Sequence, residues 1–380
     1  MVVSQRNEDE EIRNLTRRET LKNILVVAVL LSCSLGRAGD VAWLAEVQKG
    51  PPNPPRERLG KLLLLLVDER GGAITTRAGW ETRRKIVRNE WLKFLGPMPE
   101  PRPAVKLEVL KTERLAEVTR QLVRYEGEPG LFVEGYLLMP TAANNNMEKR
   151  AGIVALHQTT HASIDEIAGV SGPDSMQIGL KLAKRGFVVF CPRCFLWQNV
   201  KDLNEAVAKH RERHPNSLGM AKMLYDAMRG TDVLANLSEV DVNRIGAVGH
   251  SLGAKEALYL AAFDERIKAA VASEGGTAFR STNWDAPWYL GPAIRDENFS
   301  LNHHQLLALI APRPFLILGG ESGSGAADGD RSWPLLEAAI PIWKLYGEPT
   351  RLGLLNHHQG HSIPEPVFER TAEWLETYLR

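Results

Sequence analysis

Cysteine is scarce in this chain. Cys33, Cys191 and Cys194 are the three among 380 residues, too few for the disulfide framework that holds small secreted domains together. Charge of one sign is lacking too, since 47 Lys+Arg stand against 46 Asp+Glu for a net charge of +1. With no block of Lys and Arg, the cation cluster that phosphate backbones require is missing, and nucleic acid is excluded as the expected partner. No apolar run reaches the ~20 residues of a spanning helix, and no internal repeat or low-complexity segment appears. What is present, 44% hydrophobic and 24% charged residues, is the composition of a globular protein with ample material for a core.

The N-terminus carries a pattern of its own. Arg17 and Arg18 precede an uncharged stretch from Asn23 to Gly36, too short to span a bilayer but within the about 7 to 15 residues of a signal-peptide core. Residues 1–38 therefore read as an export signal, and the paired arginines resemble a twin-arginine signal. The acidic run Glu8 to Glu11 departs from a typical leading region. Two exits are open. Cleavage after Ala38 would release a soluble form, and the box Leu30-Leu31-Ser32-Cys33 would place a lipid anchor on Cys33. Either way the protein is expected in the periplasm or outside the cell, with no transmembrane span.

From residue 39 to 104 the pattern suggests a helical extension. Leu62 to Leu66 form an apolar run, and Trp80, Ile86, Trp91 and Phe94 recur at roughly helical spacing. Pro97, Pro99, Pro101 and Pro103 then end it as an extended linker. The remainder, 105–380, opens with short β-like runs at Val105 to Leu110, Val118 to Tyr125 and Leu131 to Met139. Apolar strands alternating with amphipathic helices follow, at 153–156, 187–190, 245–248, 269–272, 315–318 and 352–355. Such strands are apolar on both faces, which implies a doubly wound α/β architecture: a mostly parallel sheet with an antiparallel start.

One motif carries chemistry. Ile245 to Val248 run as a strand into Gly249-His250-Ser251-Leu252-Gly253, and Ala254 to Ala262 continue as a helical pattern. Strand, tight turn and helix around Gly-x-Ser-x-Gly are what a serine nucleophile needs, because a hydroxyl must be held out where a base reaches it. The amide of Leu252, at the helix start, is then one oxyanion donor. The loop after the first parallel strand supplies the second candidates, the amides of Gln158 and Thr159. His361, after the last strand, is the preferred base over His357 and His358. For the acid, Asp330 ranks first, from the loop after strand 315–318; Asp328 in the same loop and Glu274 after strand 269–272 are the alternatives.

Trp284 and Trp288 follow Glu274 and could floor a substrate pocket. Cys191-Pro192-Arg193-Cys194 has neither the extra ligands of a zinc site nor a thioredoxin context, so the pair reads as strand-end packing, with a disulfide open to it after export. His157 and His161 lack a third ligand. No metal and no cofactor is expected.

From Leu131 to Arg380 the sequence resembles the α/β-hydrolase superfamily, in its dienelactone hydrolase-like and acetyl xylan esterase-like branch. The resemblance rests on Val133-Glu134-Gly135-Tyr136-Leu137-Leu138-Met139-Pro140, Gly249-His250-Ser251-Leu252-Gly253, Ala311-Pro312-Arg313-Pro314 and Gly360-His361. The stretch His303 to Pro314 is also similar to glucuronoyl esterases, in which an acid after the strand matching 269–272 can serve the triad. That similarity favours Glu274. Those esterases carry arginine directly after the nucleophile, where this chain has Leu252. The resemblance implies cofactor-free hydrolysis of small-molecule or carbohydrate esters. A prolyl oligopeptidase-like serine peptidase and a non-catalytic binding protein on the same fold are the rival expectations. The oligomeric state is left open.

Overall fold

The computed structural model describes residues 39–56, 59, 61–141, 148–347 and 349–380. The export-signal pattern and Cys33 lie outside them. In chain order come α1 (Leu44–Val47), α2 (Arg77–Leu95), β1 (Glu108–Arg114), β2 (Val118–Glu128), β3 (Leu131–Pro140), β4 (Arg150–Leu156), α3 (Ile164–Ile167), α4 (Ile178–Lys184), β5 (Val188–Pro192), α5 (Leu203–Arg213) and α6 (Gly219–Ala235). Then follow β6 (Val240–His250), α7 (Leu252–Phe263), β7 (Ile267–Ser273), α8 (His303–Ile310), β8 (Phe315–Gly319), α9 (Trp333–Lys344), β9 (Leu352–Asn356) and α10 (Glu365–Tyr378).

Among the described residues these strands form one sheet in the order β1-β2-β3-β5-β4-β6-β7-β8-β9. Strands β1, β2, β3 and β5 pair antiparallel, and every pairing from β5 through β4 to β9 is parallel. This is the mostly parallel sheet with an antiparallel start that the strand pattern predicts. In the parallel strands side chains alternate between two covered faces, which explains why these strands read as unbroken apolar runs. Val154, Ala247 and Ile317 join the core under α2, α6, α7, α8 and α9. Ile153, Val248 and Leu316 join the core under α4 and α10.

The same alternation separates the cysteines. Cys191 lies in one core and Cys194 in the other, and both are free buried thiols. The disulfide considered for them does not form, because their side chains enter opposite layers.

None of the described residues between 49 and 76 is helical. The run Leu62 to Leu66, expected in a helix, is held open by α8: Asn302 Nδ2 donates to the Leu59 carbonyl at 2.6 Å, and His304 Nε2 meets the Leu63 carbonyl at 3.0 Å. Helix α2 does form, starting at a Thr76 cap that accepts from the Gly79 amide. It buries Trp80, Val87, Trp91 and Leu95.

Strand order reverses around β4, whose successors lie on opposite sides of it, β5 on one and β6 on the other. In open parallel sheets the crevice at such a switch, outside the carboxyl ends of the strands, gathers reactive groups.

Candidate active site

Ser251 stands where β6 turns into α7, at φ 56° and ψ −113°. Positive φ is strained for a residue with a side chain. Two glycines make the turn feasible: a Cβ on Gly249 would overlap the Gly253 carbonyl, and one on Gly253 would overlap the Leu156 carbonyl. The second approach presses the elbow against the end of β4, where the loop with Gln158 and Thr159 begins. The Ser251 amide donates to the Ser273 carbonyl at 2.7 Å, fastening the elbow to the end of β7.

Glu274 follows directly on β7, also at positive φ, 57°. Its carboxylate is buried and accepts from the amides of Gly320 and, at 2.5 Å, Ala327. The His361 ring Nδ1 lies 3.4 Å from Glu274 Oε2. Ser251, Glu274 and His361 line one cavity of ≈ 260 Å³ together with Leu252 and Thr159.

Glu274, and not Asp330, is therefore the carboxylate that the fold presents to His361. Asp330 accepts from Asn356 Nδ2 at 2.9 Å, bracing the end of β9. Asp328 is buried and fully engaged: it accepts from the amides of Gly276 and Thr277 at 2.7 Å each and from the Ser332 hydroxyl at 2.5 Å. Both aspartates hold loops around the cavity instead of facing the imidazole. The expectation favoured the loop after β8, but β7 adjoins β6, so its end is the nearer to the elbow.

The two tryptophans divide. Trp288 lines the cavity. Trp284 does not: it is fully buried, its indole N–H donates to the Gly276 carbonyl at 2.6 Å, and its ring packs on Tyr259 and His303. Gln158 holds Glu166 through its side-chain amide at 2.8 Å. His157 is buried, accepts from the Cys194 amide at its Nε2, 3.2 Å away, and presents Nδ1 to the Gln158 carbonyl at 2.8 Å. Burial holds its pKa down at about 4, so it is a neutral ring that shapes this loop.

Two residues of the site went unremarked in the sequence. Lys255 lies one helical turn after Ser251 and lines the same cavity. Its ammonium bonds the Gly275 carbonyl and, at 2.6 Å, the Thr282 hydroxyl, and sits 4.1 Å from the Trp284 ring centre. Burial pulls its pKa down to about 7, with Asp328 pulling the other way. The signal was a charged pair, Lys255-Glu256, inside an otherwise apolar helix. His250 packs its ring 4.7 Å from that of His361 and bonds the Ser273 hydroxyl at 3.0 Å. Burial first, and then the charges of His361 and His357, push its pKa down to about 3.

Among the described residues no group of three or more His, Cys, Asp and Glu is arranged to hold a metal.

Comparison with known proteins agrees with this architecture. Residues 139–309 match the Dienelactone hydrolase family, a span that includes β4 to β7 and the serine elbow. A glucuronoyl esterase from Solibacter usitatus superimposes with a TM-score of 0.67 at 18% identity, covering 86% of this chain and 98% of that one. The chain has the α/β-hydrolase fold. A second glucuronoyl esterase, from Teredinibacter turnerae, gives a TM-score of 0.64 at 19% identity over 85% of this chain and 91% of that one. In sequence, the chain is 35% identical over 104 residues to the Bacillus subtilis protein "Putative hydrolase YtaP". That match takes in 26% of this chain and 34% of the relative, so the chain spans about a third of that protein's length.

Proposed function

We propose that this α/β-hydrolase is a serine esterase that cleaves small or carbohydrate-linked carboxylic esters. The observation that carries the reading is the His361 imidazole lying against the buried Glu274 carboxylate in the same cavity as Ser251. In the proposed reaction His361 takes the Ser251 proton while Oγ attacks the ester carbonyl carbon. The Leu252 amide at the start of α7, with the Gln158 or Thr159 amide, receives the oxyanion, each donor contributing roughly 3 to 4 kcal/mol. His361 then protonates the departing alcohol, and water, deprotonated by the same ring, releases the acid from the acyl-enzyme. Glu274 keeps the imidazole in one tautomer and stabilises its positive charge.

The match to a hydrolase family and the likeness in fold to glucuronoyl esterases support ester hydrolysis. Purified protein is expected to turn over an aryl acetate, and Ser251→Ala to lose that turnover. Undiminished activity in the variant would refute the reading.

The export reading rests on residues 17–36. Replacing Arg17 and Arg18 with lysine is expected to strand the protein in the cytoplasm on cell fractionation. The N-terminal mass of the exported form distinguishes a lipid on Cys33 from cleavage after Ala38. Of the described residues, no helix is long and apolar enough to cross a membrane.

A further inference from the structure

The residues that precede Ser251 and Glu274 meet in the sheet. His250 closes β6 and Ser273 closes β7, and the two are paired in the parallel register. Their side chains leave the same face, where His250 Nδ1 bonds the Ser273 hydroxyl at 3.0 Å. Both residues are buried. The Ser273 backbone joins in, since its carbonyl accepts the Ser251 amide at 2.7 Å.

The His250 ring in turn lies against the His361 imidazole, with centres 4.7 Å apart and planes inclined by 49°. His361 is therefore held twice, at Nδ1 by Glu274 Oε2 and against its ring by His250. The first hold measures 3.4 Å, longer than the roughly 2.7–3.2 Å of a good N–H···O bond, and alone it sets the ring loosely. Nε2 of His250 has no hydrogen-bond partner among the described residues. Orphaned buried N–H groups are rarer than orphaned acceptors, which assigns the proton to Nδ1, donated to Ser273 Oγ. Burial keeps this ring neutral, so it brings no like charge to the imidazolium that His361 becomes when it takes a proton.

We propose that His250 and Ser273 are a positioning pair for the base: the Ser273 hydroxyl fixes the plane of the His250 ring, and that ring keeps the His361 imidazole turned between Glu274 and Ser251. The proposal rests on the serine esterase reading. Neither side chain lines the cavity around Ser251, so the pair acts through His361 and not on the substrate. Packing alone does not call for these residues. Two positions earlier on the same face, Val248 and Val271 fill the core with apolar side chains, and a buried polar pair carries a desolvation cost that an apolar pair avoids.

Two variants test the pair from its two ends. Ser273→Ala removes the bond and leaves the His250 ring, whereas His250→Leu removes the ring and fills its space. A misplacement of about 1 Å can cost about 10²-fold, so kcat on an aryl acetate should fall about tenfold or more in Ser273→Ala and further in His250→Leu. KM should stay within about threefold of the parent, since uniform binding is untouched. Circular dichroism establishes that each variant is folded, and Ser273→Ala, the milder change, carries the test if His250→Leu is not. A second reading needs no turnover. The Nδ1 proton of His361, moved downfield in the NMR spectrum by its bond to Glu274, should shift upfield or vanish in Ser273→Ala. An unchanged resonance in folded Ser273→Ala, a kcat equal to that of the parent, or a loss confined to KM would overturn the pair. A parent protein inert towards esters would instead sink the esterase reading, and the spectrum would still decide whether the pair holds the ring.

Discussion

At the scale of single residues, the chemistry turns on which acid faces His361. Glu274 accepts two backbone amides and presents Oε2 to the ring, whereas Asp330 is occupied with Asn356. Glu274→Gln keeps the shape and removes the charge that stabilises the imidazolium, so kcat on an aryl acetate should fall by about 10²- to 10⁴-fold. Asp330→Asn should stay within about tenfold of the parent. The reverse ranking in stopped assays of the two variants would return the acid to the loop after β8. Lys255 makes a second residue-level test. Its folded pKa, about 7, lies below the ordinary lysine value. Between those values the unfolded chain binds a proton that the native state lacks, so this group's contribution to stability rises with pH across that window. Compared with Lys255→Met, the parent should gain stability by about 1 kcal/mol per pH unit from pH 7 to 10, as read by urea unfolding. A flat difference would mean that the ammonium is not desolvated.

At the scale of elements, the elbow between β6 and α7 is the part most dependent on shape. Gly253→Ala would drive a methyl group into the Leu156 carbonyl. It should cost about 1–3 kcal/mol in thermal or denaturant unfolding and displace the loop carrying Gln158 and Thr159, with loss of kcat as well. This element was legible in the sequence because an apolar strand, two glycines and a helical pattern all specify the same turn. The parallel strands were legible for a related reason: both faces of the sheet are covered, so Ala247 and Val248 are both buried although they point in opposite directions. Which carboxylate lies against His361 was not legible. Three carboxylates follow strand ends, and what separates Glu274 from Asp328 and Asp330 is long-range bonding to amides at 276, 277, 320 and 327 and to Asn356. Leu62 to Leu66 misled in the same way. A short apolar run suits helix or coil alike, and α8 decides the matter by taking the carbonyls of Leu59 and Leu63.

At the scale of the whole molecule, buried imidazoles accumulate. His157, His210, His250, His303 and His304 have pKa values held down to between about 3 and about 4, burial being the largest cause in each. Each is neutral in the native state and free to take a proton when the chain unfolds. From the unperturbed value of about 6.5 downward, the unfolded state therefore binds more protons, and stability falls as the pH falls towards 4. Two buried carboxyls oppose this. Asp226 is raised to about 6 and Glu256 well above its usual value, both mainly by burial. They bind protons in the native state sooner than in the unfolded one, which offsets part of the imidazole effect above pH 4.5. With five groups against two, the net dependence keeps the sign set by the histidines. Unfolding free energy should drop by several kcal/mol between pH 6.5 and 4.5, on the order of three protons taken up. Denaturant midpoints across that range check it, and His303→Gln should reduce the slope by about one proton, since its partners Thr277 and Tyr259 accept an uncharged amide equally well. A stability that stayed level down to pH 4.5 would require these rings to carry their charge inside the fold, which their burial opposes.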